Sequence, residues 1–234
     1  MGIRRGSIST PIIADGLVFN MDAANRASYI PNTDTSYNTI NLSQSGSLYN
    51  ETSGSLGSPK AWTFDGADAY IDLGNLTLLN GATNASWGFW VNVDTTPNQM
   101  PISQWDGSNN VFYVYFNGAS TLSVAMNGGF VFSTSYSFNT GEWEYFTITL
   151  DGGANPASDR VKGYVNGTEL SNSNSGVTSL TSATTSNFNI GRREASGGGF
   201  YFDGEISNLH IYNRTLPSNE VLHNYNALKS RFGL

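Results

Sequence analysis

Cysteine is absent from this 234-residue sequence, and charged residues are scarce. Without cysteine the chain can form neither a disulfide bond nor a thiolate metal site, so its stability must come from burial, assembly or a bound ion. Charged residues make up 12% of the chain, about half of their ordinary share. The surface must therefore be covered mainly by Ser, Thr, Asn and Gly.

Basic residues are too few for a nucleic-acid-binding chain. The formal net charge is −7 and the pI is about 4.6, whereas affinity for phosphate backbones comes mainly from lysine and arginine. The two basic pairs, Arg4–Arg5 and Arg192–Arg193, are interpreted as solvated surface residues. Nucleic acid is accordingly not a predicted partner.

Long apolar runs are missing as well. No segment approaches the roughly 18 consecutive apolar residues of a membrane-spanning helix. The start, MGIRRGSISTPII, carries positive charge but no apolar stretch long enough for a signal peptide. We therefore expect no membrane insertion and no secretion through a leader, so that release from a cell would occur by lysis or assembly.

Apolar residues at a spacing of two are abundant. Hydrophobic residues make up 38% and aromatic residues 13% of the chain, which is enough for a core and too aromatic for a disordered chain. In SWGFWVNVD (86–94) and in EWEYFTITLDG (142–152), both sets of alternate positions contain large apolar residues. This pattern predicts central strands that are covered on both faces.

Asn-Gly pairs mark tight turns between further strands. Because Asn and Gly tolerate positive φ, the pairs at 117–118 and 127–128 divide residues 110–133 into a three-stranded meander. The pair at 166–167 closes another hairpin, and NFNIG (187–191) predicts a short strand. Turn signals about every ten residues, with no long helical pattern between them, predict an antiparallel sandwich or jelly roll.

One helical pattern ends the chain. From Ser218, the predicted N-cap, apolar residues recur at helical spacing. We predict an N-terminal arm over 1–15, one β domain over 16–217 and a helix over 218–234 that packs on the domain or on a partner. A Ser/Thr/Asn-rich surface excursion precedes the last strands, and one short strand is expected within it, over 177–180.

Seven segments follow one another in the order FDGADAYIDLG, ASWGFWVNVD, PISQW, GEWEYFTITLDG, VKGYVNGTEL, FNIGRR and YFDGEISNLHIYNRTLPSNEV. In this order they resemble the laminin-G-like, concanavalin A-like jelly-roll family, over roughly residues 16–225. The resemblance implies an all-β fold in which two antiparallel sheets face each other across an apolar core, here followed by a short C-terminal helix.

The two ends of the chain, PIIADGLVFNMDAANRASY and VLHNYNALKSRFGL, are similar to laminin-G-like proteins encoded by tailed bacteriophages. This similarity implies a non-enzymatic virion component that decorates the capsid, the neck or a fibre and attaches to other virion proteins. A homo-oligomer is expected. The arm has apolar residues without a domain of their own, so Ile8, Ile12 and Ile13 are the predicted docking residues.

Two Asp-Gly turns, at Asp65 and at Asp203, precede alternating segments. Glycine lets the backbone turn sharply, and the carboxylate can accept hydrogen bonds from nearby amides or bind a cation. In some members of the family that the chain resembles, aspartates in such loops hold a structural calcium ion. Two interpretations of Asp65 and Asp203 are left open, a turn-stabilising role and a calcium site.

Catalytic patterns are missing or incomplete. The Glu-x-Asp-x-x-Glu strand of retaining glucanases with this fold does not occur, and Glu142 with Glu144 lacks a third carboxylate. The two histidines, His210 and His223, have no metal-ligand spacing. We therefore expect a binding protein and no enzyme, with a divergent glycoside hydrolase as the least favoured alternative.

The segment QWDGSNN combines an aromatic ring with polar groups in one turn. A sugar site needs an aromatic face for the ring and amide or carboxylate groups for the hydroxyls. Trp105, Asp106, Asn109 and Asn110 are therefore the candidate residues for binding a host-surface glycan, as in a lectin-like adhesin. A tryptophan that caps the core beside a polar hairpin is the competing interpretation, and the aromatic cluster at 200–202 is expected to serve packing.

Overall fold

A computed structural model describes residues 11–49, 61–96, 98–107, 110–172, 174–194 and 199–234. The last helix, α1, spans Ser218–Leu228 and continues into a 3-10 turn at Lys229–Phe232, and a second 3-10 turn spans Ala157–Asp159. The strands are β1 Leu17–Asp22, β2 Thr35–Tyr37, β3 Ser45–Tyr49, β4 Trp62–Asp65, β5 Tyr70–Asp72, β6 Asn84–Val93, β7 Gln99–Trp105, β8 Asn110–Asn117, β9 Thr121–Met126, β10 Gly129–Ser135, β11 Trp143–Asp151, β12 Val161–Val165, β13 Thr168–Glu169, β14 Phe188–Ile190, β15 Arg192–Arg193, β16 Phe200–Tyr201 and β17 Asp203–Tyr212.

The large strands form two antiparallel sheets. The first sheet has the order β1-β17-β6-β11-β12-β13, and β4 also pairs with β17. The second sheet has the order β10-β9-β8-β7-β14-β5-β3-β2, while β15 and β16 form a separate hairpin. The predicted all-β, two-sheet antiparallel sandwich with a short C-terminal helix is confirmed.

Aromatic stacking joins the inner faces of the two sheets. Trp87 of β6 stacks on Phe112 of β8, with ring centroids 4.2 Å apart and planes at 8°. Phe146 of β11 contacts Phe116 of β8 at 5.1 Å. All four rings are buried. Because large rings contribute most of the area that a core removes from water, these contacts fix the sheets face to face.

The central strands β6 and β11 are covered on both faces, as the alternation predicted. Their outward-facing rings, Trp90 and Tyr145, are fully buried beneath the C-terminal segment. Phe232 stacks on Trp90 at 4.1 Å, and Tyr225 lies 5.6 Å from the same ring. The helix therefore covers the outer face of the first sheet. Over the described ranges, no helix combines the length and the apolar character needed to cross a membrane.

The turn predictions are confirmed at the hairpin tips, where Asn127 (φ 54°) and Asn166 (φ 51°) adopt positive φ before their glycines.

The predicted strand over 177–180 is wrong, because the backbone there bonds to loops. For example, the Leu180 amide donates to the Ala82 carbonyl at 2.9 Å.

The predicted serine N-cap is also wrong. Ser218 is the first helical residue, and Pro217 occupies the cap position without a side-chain bond. The Pro217 carbonyl accepts hydrogen bonds from the Glu220 and Val221 amides at 2.9 and 3.1 Å. A main-chain acceptor therefore begins the helix.

A substitution of Gly88 tests the packing between β6 and β11. A Cβ atom at this position would lie 2.2 Å from the Tyr145 hydroxyl, so we expect Gly88→Ala to destabilise the fold by about 1–3 kcal/mol through overpacking. Gly129→Ala is the control, since a Cβ atom there meets no other atom within 4 Å. Urea unfolding measures both variants, and equal stability for the two would contradict the packing described here.

Candidate functional site

Partly exposed aromatic rings collect on the outer face of the second sheet. Alternation along β8 buries Phe112 and Phe116 and turns Tyr113 and Tyr115 outward. Phe130 at the start of β10 is 52% exposed. We call the group formed by these outward rings with their neighbours the Trp105 cluster; its members are Trp105, Tyr113, Tyr115, Phe130, Arg193 and Phe200.

The rings of the Trp105 cluster contact one another across four chain segments. Trp105 and Tyr113 stack with centroids 5.3 Å apart and planes at 15°. Phe130 meets the edge of Tyr113 at 6.1 Å, and Phe200 meets the edge of Tyr115 at 5.7 Å. Stacked and edge-to-face contacts fix the orientation of rings that solvent still reaches. The sheet therefore presents a preformed aromatic surface.

The β15–β16 hairpin lies over β7 on this same face. After β14 the chain turns at Gly191, whose φ is 85° and whose amide donates to the Pro101 carbonyl at 2.8 Å. The Ser103 hydroxyl donates to the Arg192 carbonyl at 2.8 Å. A side chain at 191 would place Cβ 2.3 Å from the Phe64 ring. Glycine is thus required for the path that brings the hairpin onto the sheet.

The two arginines of the hairpin cover aromatic rings on either side of it. The Arg193 guanidinium carbon lies 3.8 Å from the Trp105 ring centroid and 4.4 Å from that of Phe200. The Arg192 guanidinium carbon lies 3.4 Å from the Tyr70 ring centroid, and its side chain is 13% exposed. The prediction that both arginines are solvated is therefore wrong, because each cation is drawn to a ring face.

Burial changes the ionisation of the charged and phenolic groups in the cluster. It lowers the pKa of the Arg193 guanidinium, against the opposing effects of Tyr113 and Tyr115. Burial also raises the pKa of Tyr113, although Arg193 acts to lower it. Both shifts reflect a site from which water is partly excluded.

Three buried polar atoms of this region have no hydrogen-bond partner among the described residues. They are the indole Nε1 of Trp105, the Nε of Arg193 and the Oδ1 of Asn110. Buried polar groups in native proteins are nearly always hydrogen-bonded. These two donors and one acceptor are buried beside the aromatic surface, so they become available to the hydroxyl or carboxylate groups of a ligand only when the side chains that cover them move.

The structure brings three of the four predicted glycan-binding residues to this region. Trp105 ends β7, Asn110 begins β8, and Asp106 accepts a hydrogen bond of 2.6 Å from the Thr185 hydroxyl between them. Asn109 lies outside the described residues. The binding role of this set stays a prediction, and no sequence pattern placed Tyr113, Phe130 and Arg193 beside Trp105.

The aromatic cluster at 200–202 divides between two environments. Phe202 is buried in the core and contacts Phe64 at 6.0 Å, as the packing interpretation expected. Phe200 instead belongs to the outer surface, where it contacts Tyr115 and Arg193. Alternation along the chain separates neighbouring rings in this way.

Asp65 stabilises its own turn. Its Oδ1 accepts hydrogen bonds of 2.9 to 3.0 Å from the amides of residues 67, 68 and 69. Burial acts to raise the pKa of Asp65, but these amide bonds outweigh it and hold the pKa below its ordinary value. Asp203 accepts a 2.6 Å hydrogen bond from the Thr95 hydroxyl.

Calcium binding at Asp65 and Asp203 stays a prediction. The two residues face each other in the register of β4 and β17. Within the described part of the chain, no group of three or more His, Asp or Glu side chains is arranged to hold a metal ion.

Glu142 and Glu144 lie in different environments. Glu144 is buried and accepts hydrogen bonds from the Tyr136 hydroxyl and, at 3.0 Å, from the Asn139 amide, whereas Glu142 is exposed. Burial raises the pKa of Glu144, although its hydrogen bonds with Tyr136 and Asn139 oppose the shift. The two carboxylates therefore do not share one open face, and the expected absence of catalysis stays a prediction.

The described part of the N-terminal arm lies along α1. The Ile13 amide donates to the Asn224 side chain at 2.8 Å, and the Tyr212 hydroxyl donates to the Ile13 carbonyl at 3.0 Å. Ile12 lines a cavity beside the helix. Ile8 lies outside the described residues. Docking of a partner through Ile8, Ile12 and Ile13 stays a prediction.

That cavity has a buried histidine in its wall. It measures about 220 Å³ and is lined by Pro11, Ile12, Asn20, Asp22, His210, Ala227 and Leu228. His210 is 1% exposed, and its Nδ1 lacks a hydrogen-bond partner among the described residues. Arg231 donates two hydrogen bonds, of 2.8 and 2.9 Å, to the Asp22 carboxylate. Burial lowers the pKa of His210 to about 4, with a smaller opposing effect of Asp22 and a reinforcing one of Arg231.

The lowered pKa of His210 predicts that the folded chain loses stability in acid. The unfolded chain binds a proton near pH 6.5 and the folded chain only near pH 4, so the stability present above about pH 6.5 falls as the pH drops toward 4, by at most about 3 kcal/mol. His210→Gln should flatten this slope in urea unfolding between pH 7 and 4. His223→Gln is the control and should keep it; an unchanged slope in His210→Gln would contradict the assignment.

A two-layer β-sandwich with a preformed aromatic surface on one sheet is an architecture used by lectin-like domains. The sequence profile described as "Concanavalin A-like lectin/glucanases superfamily" (Laminin_G_3) matches residues 65–222. This match covers more than half of the chain. The chain therefore belongs to the concanavalin A-like lectin/glucanase superfamily, and the resemblance seen in the sequence is confirmed at this level. None of the curated protein sequences compared with the chain matches it.

Several solved structures have the same fold. Domain 4 of AbnA, a GH43 extracellular arabinanase from Geobacillus stearothermophilus, in complex with arabinotriose, is 17% identical with a TM-score of 0.65; the match covers 89% of this chain and 98% of that one. Trypanosoma rangeli sialidase in complex with sialic acid is 15% identical with a TM-score of 0.67, over 96% of this chain and 36% of the sialidase. The binding domain of botulinum neurotoxin DC in complex with SialylT is 14% identical with a TM-score of 0.64, over 92% and 52%. The chain thus spans about a third of the sialidase chains and about half of the toxin domain.

Proposed function

We propose that this chain is a glycan-binding, lectin-like module and that the Trp105 cluster is its binding surface. The observation that carries the proposal is the half-open stack in which Arg193 covers Trp105, Trp105 stacks on Tyr113, and the 52%-exposed Phe130 closes one side. An aromatic surface with a few fixed polar groups is the usual composition of a small-ligand site.

The arrangement of the cluster suits a sugar ring. The apolar face of a pyranose packs against an aromatic plane, while its hydroxyls need donors and acceptors at the rim of that plane. Here the Arg193 guanidinium and the Asn110 amide are donors, and the partly exposed Asp106 carboxylate is an acceptor. Contacts among the rings hold them in place before a ligand arrives, which lowers the entropic cost of binding.

Membership of the superfamily and the ligands of similar structures support the proposal. Arabinotriose is bound in the structure of the arabinanase domain, sialic acid in that of the sialidase and SialylT in that of the botulinum neurotoxin DC binding domain. The identities of these structures lie below 20%, so they support a class of ligand and not a particular sugar.

The position of the module in a larger assembly is a separate matter. Its placement on a tailed-phage particle, as a decoration or fibre protein and a homo-oligomer, stays a prediction that rests on the resemblance of the two ends. Copy-number measurement in purified virions tests that placement. The glycan-binding proposal does not depend on it.

Substitution of Trp105 tests the proposed surface. The wild-type chain should bind some members of an array of neutral and acidic glycans. Calorimetry should then show that Trp105→Ala lowers the affinity for the best of these ligands by at least tenfold, about 1.4 kcal/mol. Trp105→Phe keeps a flat ring and should retain most of the affinity. Phe130→Ala removes a ring that is half in solvent, so it should weaken binding without lowering the melting temperature.

Leu222→Ala is the matched control for loss of an exposed apolar side chain, because Leu222 is 45% exposed and lies on the helix. Its glycan affinity should equal that of the wild type. Glycan binding that survives both Trp105→Ala and Phe130→Ala would contradict the assignment of the surface. Failure of the wild-type chain to bind any glycan would contradict the function itself.

A further inference from the structure

Arg193 of the Trp105 cluster has no carboxylate within 4 Å among the residues that the structure describes. Three other arginines lie within 4 Å of a carboxylate: Arg192 with Glu194 at 3.8 Å, Arg214 with Glu220 at 2.6 Å and Arg231 with Asp22 at 2.8 Å. No such pair is formed by Arg193 with any residue that the structure describes. Among the described residues, Arg193 thus shares the lack of a carboxylate partner with Arg26 and Arg160, but it alone of these three lies over aromatic rings.

The surroundings of Arg193 make an absent counterion costly. Its guanidinium stands over Trp105 and Phe200, its Nε is buried without a partner, and the hydroxyl of the neutral Tyr113 is its hydrogen-bonding neighbour. A charge removed from water is stabilised chiefly by an opposite charge that it also hydrogen-bonds. Ring faces offer only a part of that stabilisation. Arg193 keeps partial contact with solvent, and an anion bound beside it would supply the stabilisation that the rings do not.

We infer that the Trp105 cluster selects glycans that carry a carboxylate, with Arg193 as the specificity-determining residue. This inference rests on the proposed function. The planar guanidinium presents a rigid set of donors that matches the two oxygens of a carboxylate. Trp105, Tyr113 and Phe130 then supply the surface for the sugar ring itself. The ligand class is the acidic sugars, of either the uronic or the sialic acid type.

The negative net charge of the chain does not oppose this selectivity. At physiological ionic strength, charges farther away than about 8 Å are largely screened, whereas the guanidinium would contact the ligand directly. Since a contact ion pair weakens with salt, binding of acidic glycans should weaken as the salt concentration rises, and binding of neutral glycans should not.

Matched ligand pairs test the inference on the intact chain without any substitution. Calorimetry compares trigalacturonic acid with its methyl ester, and 3′-sialyllactose with the methyl ester of its sialic acid carboxyl group. Each pair keeps the sugar scaffold and differs in the carboxylate, and the two pairs separate the uronic from the sialic source. We expect the charged member of at least one pair to bind about tenfold more tightly or better, as charge-assisted hydrogen bonds allow.

Substitution of Arg193 then assigns the preference to one residue. Arg193→Gln should reduce the preference for the charged ligand to within about twofold, and it should weaken the neutral ligand by a smaller factor, because a donor beside the rings is lost. Arg193→Lys keeps the charge but loses the planar set of donors, so it should show an intermediate preference. Arg26→Gln removes an exposed arginine elsewhere and should retain the full preference. Melting temperatures verify that each variant is folded.

The outcomes separate the two proposals. Equal affinity for charged and neutral members, with binding still lost in Trp105→Ala, would overturn the selectivity and leave the glycan-binding function standing. A preference that persists in Arg193→Gln would overturn the role of Arg193. Absence of binding by either member of both pairs and by the array glycans would overturn the proposed function, and the selectivity with it.

Discussion

The turn at Gly191 holds the β15–β16 hairpin against the second sheet, and the candidate site depends on it. Its φ of 85° and its close approach to Phe64 admit no side chain, and its amide is bonded to the Pro101 carbonyl. From this fixed turn, Arg192 and Arg193 extend to opposite sides and cover rings of the sheet. Without the turn, both cations would be free in solvent and the aromatic surface would lose its polar component.

The outer faces of the two sheets have different environments. The first sheet is covered by the C-terminal helix, which buries Trp90 and Tyr145. Among the described residues, the short β15–β16 hairpin crosses the outer face of the second sheet, and Phe130 and parts of the neighbouring rings remain in contact with solvent. Exposed apolar area of this kind in a folded domain marks a surface that binds something. The asymmetry explains why the site is built on the second sheet.

The sequence predicts the parts of the fold that local patterns determine. Alternation correctly predicted strands buried on both faces at β6 and β11, and Asn-Gly pairs predicted the meander from β8 to β10. The strand expected over 177–180 failed because a Ser/Thr/Asn-rich segment can bond to loops as readily as to a sheet. Local composition does not show whether the backbone of such a segment will bond to a neighbouring strand or to a loop.

The candidate site is predictable only in part, for a related reason. Trp105 and Asp106 were recognised because the aromatic and the polar group are neighbours in the sequence. Arg193 was missed, because its contact with Trp105 arises from the crossing of the hairpin over β7. Likewise, alternation shows that Tyr113 faces away from the core, but it does not show which outer face a helix will cover. Both missed contacts come from tertiary structure.

The most direct test of the central claim is a crystal structure of the chain with a bound oligosaccharide. The account predicts a sugar ring packed on Phe130 or against the open side of the Arg193–Trp105–Tyr113 stack, with a polar group of the ligand in contact with Arg193. A sugar bound at another face, such as the groove beside Lys162 and Glu169 on the first sheet, with none at the Trp105 cluster, would contradict it.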